Sequence, residues 1–540
     1  MNRIVRLLSS VLMALAIIPC ALGVVYGLVN ACGGWTWLLP GHDAAFYALQ
    51  PCGRNLVGGG IGFVAIVLMV WAFVRKRGMA WTDRRQFLKT VVWIYVLAAA
   101  LRFSFCLFFG RGMANSWDPL WAWERACGVQ LSDNRHILFP AWMNYALAMK
   151  AFVSIIGRHF WLYQLAETLF SGLTSVFIFL LAREFTPCSK TAVLAGALSI
   201  FCLNDIVYQT AGASSEHLAV PLLTAGVYFC VRMLKASAPR SAMGWMLLSG
   251  LLLGIGDAVK PFMPIVAPAV VLTAVLSVLT NGVSEGHRRF GRLLTALCLV
   301  GVASFSSQGV LVVTERVFSC KLDRADSVPH FLAVGLDPDG EGQIHLGRSA
   351  CVYQNERLAG LPREVAASRV WSRLKESWQG RYAEIPSFLF KKTIWAWQEH
   401  DRGYHYYHWN RSHGKPLPPL LSACAEKICC YGESASLFFY MFTMLFAGFA
   451  LGCLLRETRN GIAAGPLLLA LVILGYFGLM LISESQGRYK CLVMPFVFIF
   501  AAMGLGLFIR RLLRKEHYVL EERGFALQGN LSFGRKGTSK

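Results

Sequence analysis

Predominantly apolar stretches of about 20 residues recur along this chain, and they decide most of what it can fold into. A helix of that length crosses the hydrocarbon core of a bilayer and satisfies its own backbone hydrogen bonds where water cannot. Twelve such stretches are readable, near residues 11–30, 55–74, 90–110, 159–182, 191–210, 218–236, 243–259, 263–280, 293–313, 435–455, 463–483 and 491–509. Only 15% of the residues are charged, against roughly 25% in soluble domains. The fold class is therefore all-α and polytopic, with about twelve transmembrane helices. The opening MNRIVRLLSSVLMALAIIPCALG has the look of a signal peptide, but its apolar run continues to about Leu28 and reads as an uncleaved first span.

The net charge of +22 does not point to nucleic acid, because the basic residues punctuate the gaps between apolar runs instead of gathering on one face. RKRGMAWTDRRQFLK (75–89), RMLKASAPR (232–240), HRRFGR (287–292), RETR (456–459) and the tail from Arg510 fall on one side, while the short opposite connections hold few basic residues. The positive-inside rule then places both termini in the cytoplasm of a multi-pass protein of the plasma membrane. Residues 137–157, ILFPAWMNYALAMKAFVSIIG, do not count as a span. Crossing there would invert the later charge pattern and leave Asn144 and Lys150 in the bilayer centre, so the segment reads as a helix in the outer interface. The expected organisation is a two-helix extension (1–89), a transmembrane core (90–313) with a large outer loop (111–158), an extracytoplasmic domain (314–434), C-terminal spans (435–510) and a cytoplasmic tail (511–540).

Sixteen cysteines show no paired CxxC spacing, so no metal site is expected and no cofactor is implied. Those outside the spans, including Cys32, Cys52, Cys320, Cys351, Cys424, Cys429 and Cys430, allow disulfides in an oxidising compartment without fixing a pairing. More informative are the polar residues crowded at the outer ends of the spans: Asp118, Glu216, His217, Asp257, Lys260, Glu484 and Arg488. A transporter or flippase, the rival reading for twelve spans, would place its polar residues near mid-membrane. Polar ends beside two large outer loops instead describe a surface site that takes one substrate from the lipid and another from outside.

Four stretches give this outline a family. They are Asp118 just after a span, with ILFPAWMNYALAMKAFVSIIG and FWLYQLAETLFSGLTSVFIFLLAREF following; LLLGIGDAVKPFMPIVAPAVVL; FKKTIWAWQEHDRGYHYY; and SESQGRYKCLVMPFVFIFAAMGL. In order and sidedness they resemble membrane glycosyltransferases of the GT-C fold, the group containing protein O-mannosyltransferases and the aminoarabinose transferases of lipid A. The likeness is nearest to the bacterial dolichyl-phosphate-mannose-protein mannosyltransferase-like branch, and it covers roughly residues 90–510. It implies a GT-C-like arrangement with interfacial helices in the first outer loop and a small outer domain before the last three helices. It also implies a polyprenyl-phosphate-linked sugar as donor and a protein, glycan or glycolipid as acceptor. Two positions depart from the family pattern: Pro119 stands where many relatives carry Glu after the Asp, and Lys260 stands where arginine is usual.

On this resemblance Asp118 is the general base that takes the proton of the acceptor hydroxyl. Asp118-Pro119 also reads as a helix N-cap with proline in the first turn, carrying Leu120, Trp121 and Trp123 towards the interface. Arg488, Tyr489 and Lys260 are the expected contacts of the donor phosphate, with snorkelling and interface anchoring as the alternative for each. Glu216 and His217 are possible substrate-binding residues at a span boundary. Glu484 is placed to orient Arg488 from one helical turn away. Glu124 and Arg125 read as surface charges, and Lys391 and Lys392 as phosphate contacts or interface charges. Trp395, Trp397, Tyr404, Tyr406, Tyr407 and Trp409 read as packing of the outer domain, with sugar stacking as the second use.

Overall fold

The computed structural model describes residues 2–31, 53–77, 84–109, 117–129, 139–186, 188–201, 213–280, 286–340, 349–397, 419–457, 464–485 and 487–512. In chain order the helices are α1 (Asn2–Ala31), α2 (Gly53–Arg77), α3 (Arg84–Phe109), α4 (Trp117–Ala126), α5 (Pro140–Ile156), α6 (Phe160–Ser171), α7 (Leu173–Phe185), α8 (Ser189–Phe201), α9 (Ser215–Lys235), α10 (Pro239–Val259), α11 (Met263–Thr280) and α12 (Gly286–Phe318). After these come α13 (Ser327–Leu336), α14 (Ser349–Leu358), α15 (Arg363–Trp378), α16 (Ile385–Trp397), α17 (Pro419–Glu457), α18 (Ala464–Ile482) and α19 (Met494–Leu512). Among the described residues the protein is an all-helical integral membrane protein; every predicted span meets a helix, but 159–182 covers two, α6 and α7, which break at Gly172.

The count of twelve is not reproduced: among the described residues, eight helical segments are long and apolar enough to cross a membrane. The apolar parts of α8, α11 and α19 are shorter, covering Ser189–Phe201, Met263–Leu279 and Met494–Ile509. For the predicted span 191–210, the described helix stops at Phe201. The fourth remaining span, 55–74, is covered by the 25 residues of α2. Two helices are the opposite case. The 33 residues of α12 and 39 of α17 extend about 50 and 58 Å at 1.5 Å per residue. Both exceed the roughly 30 Å of hydrocarbon core, so they project beyond it.

In a bilayer, lipid tails compete with side chains for apolar contact, and helices gain most where small residues let backbones meet. Two such seams hold this bundle. At α10 against α12, a β-carbon on Gly254 would lie 2.3 Å from the carbonyl oxygen of Ala303. At α19 against α17, one on Gly504 would lie 1.9 Å from that of Phe446. The α9–α10 hairpin, α1 against α17 and α2 against α17 complete the main packing, around a core that includes Phe179, Phe262, Phe496 and Phe498.

One end of the bundle carries the other helices. There α13, α14 and α15 enclose a small core of Ala333, Tyr353, Ala366, Val370 and Leu374. Arg357 clamps Asp326 beside it with two 2.7 Å hydrogen bonds, and the Tyr353 hydroxyl donates to the same carboxylate at 2.8 Å. The predicted helix in REVAASRVWSRLKESW is α15. α16 packs on α1, α17 and α18: the Tyr26 and Thr393 hydroxyls are hydrogen-bonded, the Tyr440 hydroxyl of α17 donates to the Trp397 carbonyl at 2.5 Å, and the Trp397 ring lies 5.7 Å from that of Tyr476 on α18 (centroids). Trp397 is fully buried. The predicted roles of Tyr404, Tyr406, Tyr407 and Trp409 lie outside the described residues, as do those of the Trp395 side chain and of Cys32 and Cys52.

α5 is the helix read as interfacial. It buries Met143, Asn144, Tyr145, Ala146 and Met149 against the bundle and leaves Ile155 and Ile156 exposed. Asn144 is satisfied where it lies: its amide donates to the Ala258 carbonyl at 2.8 Å, and its oxygen accepts from the Thr314 hydroxyl at 2.6 Å.

Candidate active site

The site assembles at the end where α10 turns into α11. Pro261 lacks an amide proton and forces Lys260 before it out of the helical region, and Lys260 is indeed extended, at φ −144 and ψ 112. Asp257 then starts the next helix, its Oδ1 accepting the backbone N–H of Phe262 and of Met263, both at 2.8 Å. Its Oδ2 accepts from Ser307 at 3.1 Å and Arg324 at 3.3 Å. The sequence DAVKP thus presents one lysine at the apex of a stiff hairpin. Asp257 therefore caps α11 and braces the turn.

Lys260 meets two partners. Its Nζ donates to Glu216 Oε1 at 2.7 Å and lies 4.2 Å from the centroid of the Tyr489 ring. Glu216 is in the first turn of α9, where the helix dipole favours an acid. The Ser214 hydroxyl and, at 3.1 Å, that of Ser215 donate to its other oxygen. Tyr489 belongs to a 3-10 turn, Gly487–Leu492, and its hydroxyl donates to Glu484 Oε2 at 3.1 Å. Lys260, Glu216, Tyr489 and Glu484, four of the predicted site residues, are therefore one connected group.

Other sequence expectations are corrected. Glu484 is not one helical turn from Arg488: α18 ends at Ile482, and Glu484 lies in the non-helical link before the 3-10 turn. Its described partner is Tyr489. Arg488 is on that turn, but its side chain is outside the described residues, as is the side chain of Asp118. Asp118 itself is the second residue of α4, inside the first turn instead of at the cap. Trp121 and Trp123 are half-buried and pack on aromatic rings of neighbouring helices. Trp121 lies 6.1 Å from Trp142, and Trp123 lies 5.1 Å from Phe160 and 6.0 Å from Tyr163 (ring centroids). Arg125, read as a surface charge, sits on the Phe318 ring and donates to that residue's carbonyl. α4 is thus pinned to α5, α6 and α12.

Glu167 and Arg102 are among the buried ionisable groups that escaped the sequence reading. Glu167 has no exposed side-chain area. It accepts from Tyr145 at 2.8 Å and Tyr163 at 3.4 Å on Oε1, and from the Ser214 backbone N–H at 3.2 Å on Oε2. His217 Nδ1 is 3.5 Å from the same Oε2, which places this predicted substrate contact against Glu167. Arg102, fully buried on α3, donates to the Ala98 carbonyl at 3.1 Å and Ser175 at 3.5 Å. Both are charged residues inside apolar runs, a costly placement that signals a built interaction. Among the described residues no three His, Cys, Asp or Glu side chains are grouped to hold a metal.

Lys392, read as a phosphate contact or interface charge, is fully buried. Its amine donates to the Gly335 carbonyl and, at 2.8 Å, to that of Ser483. It pins α16 to α13 and to the residue preceding Glu484. Burial pushes the amine down from 10.5 to about 7, against the pull of Glu484. Unfolded, this lysine keeps its proton up to the ordinary lysine range, while the folded one releases it above about 7. Between those values the unfolded state binds more protons, so stability rises with pH, and the burial penalty is complete only below about 7. Subtracting the melting behaviour of Lys392→Met from that of the parent between pH 7 and 10 isolates this group. The parent gains on the variant as pH rises, by at most about 1.4 kcal/mol per pH unit. A flat or falling difference contradicts the assignment.

Residues 140–307 match the family model described as dolichyl-phosphate-mannose-protein mannosyltransferase. No curated protein matches the chain. The matched stretch runs from the start of α5 into α12 and contains Tyr145, Glu167, Glu216 and Lys260, while Asp118, Glu484 and Tyr489 lie outside it. Over that stretch the chain is similar to that family; the motifs around 390–407 and 483–505 lie outside the match.

Proposed function

We propose that this protein transfers a sugar from a polyprenyl-phosphate donor to an acceptor at the outer face of the plasma membrane. The observation that carries the reading is the Lys260 group: an amine held by Glu216 and Tyr489 at one end of an apolar bundle. That is where the phosphate of a lipid-anchored donor would lie with its chain among the helices. Lys260 and Arg488 contact the phosphate, with Tyr489 beside them. Asp118 accepts the proton of the acceptor hydroxyl as its oxygen attacks the anomeric carbon, and the bond from that carbon to the phosphate oxygen breaks. The leaving polyprenyl phosphate gains a negative charge, which a fixed cation stabilises. The outer domain and both cytoplasmic termini follow from the charge pattern of the connections.

The test is an assay of the purified protein in vesicles with radiolabelled polyprenyl-phosphate sugars and cell-envelope acceptor extract. Sugar passes from lipid to acceptor if the reading holds. Movement of the labelled lipid across the vesicle membrane, with no transfer, would establish a flippase instead.

A further inference from the structure

We infer that Glu167 is a positioning residue for the donor site, holding the Glu216–Lys260 pair in register through Ser214. The inference rests on the proposed reading of that pair as the donor-phosphate contact.

A carboxyl group without solvent exposure is costly to bury unless it is hydrogen-bonded, and Glu167 stands within an apolar run that a leucine would continue. Its partners come from three places. Tyr145 approaches from α5, Tyr163 from its own helix, and the Ser214 N–H from the segment that leads into α9. Ser214 is the junction. Its backbone N–H is held by Glu167, while its hydroxyl donates to Glu216 Oε2. The other oxygen of Glu216 holds Lys260. One hydrogen-bonded path therefore leads from the surface helix α5, through Glu167, Ser214 and Glu216, to the amine over Tyr489. Because α4 packs on α5 and α6 through Trp121 and Trp123, the helix bearing Asp118 rests on the same support.

Glutamine at 167 is close to isosteric and can still accept from Tyr145. It cannot accept from both the tyrosines and the Ser214 N–H, since one of its termini is now a donor. The experiment compares Glu167→Gln, Ser214→Ala and the double variant by two readouts. The first is the rate at which a water-soluble amine acetylating reagent modifies Lys260, followed by peptide mass spectrometry, which needs no substrate. The second is kcat/KM for the polyprenyl-phosphate sugar, with KM for the acceptor as control.

In each single variant Lys260 becomes several-fold faster to label. Donor kcat/KM falls about tenfold, the scale of one hydrogen bond to a charged group, and acceptor KM stays at the parent value. The double variant is no worse than the worse single one, because both changes break one path. Unchanged Lys260 labelling in folded Glu167→Gln overturns the inference, and so do multiplicative losses. If Glu167→Gln does not fold, Tyr145→Phe and Ser214→Ala make the same comparison, and both must speed the labelling. Faster labelling in a protein that transfers no sugar leaves the positioning role intact and rejects the proposed function.

Discussion

Asp118→Asn lowers sugar transfer on the order of a hundredfold or more, with little change in melting temperature. Asparagine keeps the size of the side chain and its hydrogen-bonding oxygen. It cannot take a proton at neutral pH. Because Asp118 lies in the first turn of α4, the variant also loses a favourable charge at the helix N-terminus, worth about 0.3–1 kcal/mol. That is too small to unfold a helix pinned by Trp121, Trp123 and Arg125 to its neighbours. Donor binding survives, since the phosphate is assigned to other residues. If the carboxylate only stabilises the helix, Asp118→Asn works at the parent rate and only Asp118→Ala melts early. Turnover, donor affinity and melting temperature, measured on both variants, separate the two roles.

Lys260→Met lowers donor kcat/KM by about one to two orders of magnitude, the range for hydrogen bonds to charged groups. Both constants move, and the reason is the charge carried by the phosphate. The donor is a phosphodiester with one negative charge, and the departing polyprenyl phosphate approaches two. A cation at that oxygen therefore binds the transition state better than the substrate, so removing it raises KM and also lowers kcat. Methionine preserves the length of the stem but leaves Glu216, whose side chain is only 6% exposed, without its amine. Glu216→Gln/Lys260→Met separates the two consequences: it restores stability lost through the stranded acid without restoring transfer. A double variant with parent kcat/KM shows that Lys260 does not touch the donor.

The helices were legible because apolar runs between basic connections leave a chain few other choices. Lys260 at a hairpin apex could be read from DAVKP, where proline ends one helix and aspartate starts the next. Glu167 was not legible in this way. A span is recognised by its average, and one acid within FWLYQLAETLFSGL changes that average little. What makes the residue meaningful is Tyr145 on a preceding helix and Ser214 much later in the chain, and no local pattern announces either. Glu484 was misplaced for a related reason. Reading SESQGRYK as one continuing helix put Arg488 a turn away, whereas Ser483 and Ser485 direct their hydroxyls back to the Leu479 and Met480 carbonyls and the chain leaves the helix. The contacts of Trp121, Trp123 and Arg125 depend on α5, α6 and α12 lying beside α4, which is a matter of tertiary packing.

The Lys260 site is drawn from chain segments made at very different times. During synthesis, α9 and α10 emerge together, and Glu216 can meet Lys260 as soon as their hairpin is in the membrane. Tyr489, whose ring lies under that amine, leaves the ribosome only after α11 to α18 have been made. For that interval the acid and the amine have each other but no floor beneath them. The last two helices are thus the closing piece of the site, and a nascent chain that stops before α18 carries the family-matched stretch complete and the Lys260 group unfinished.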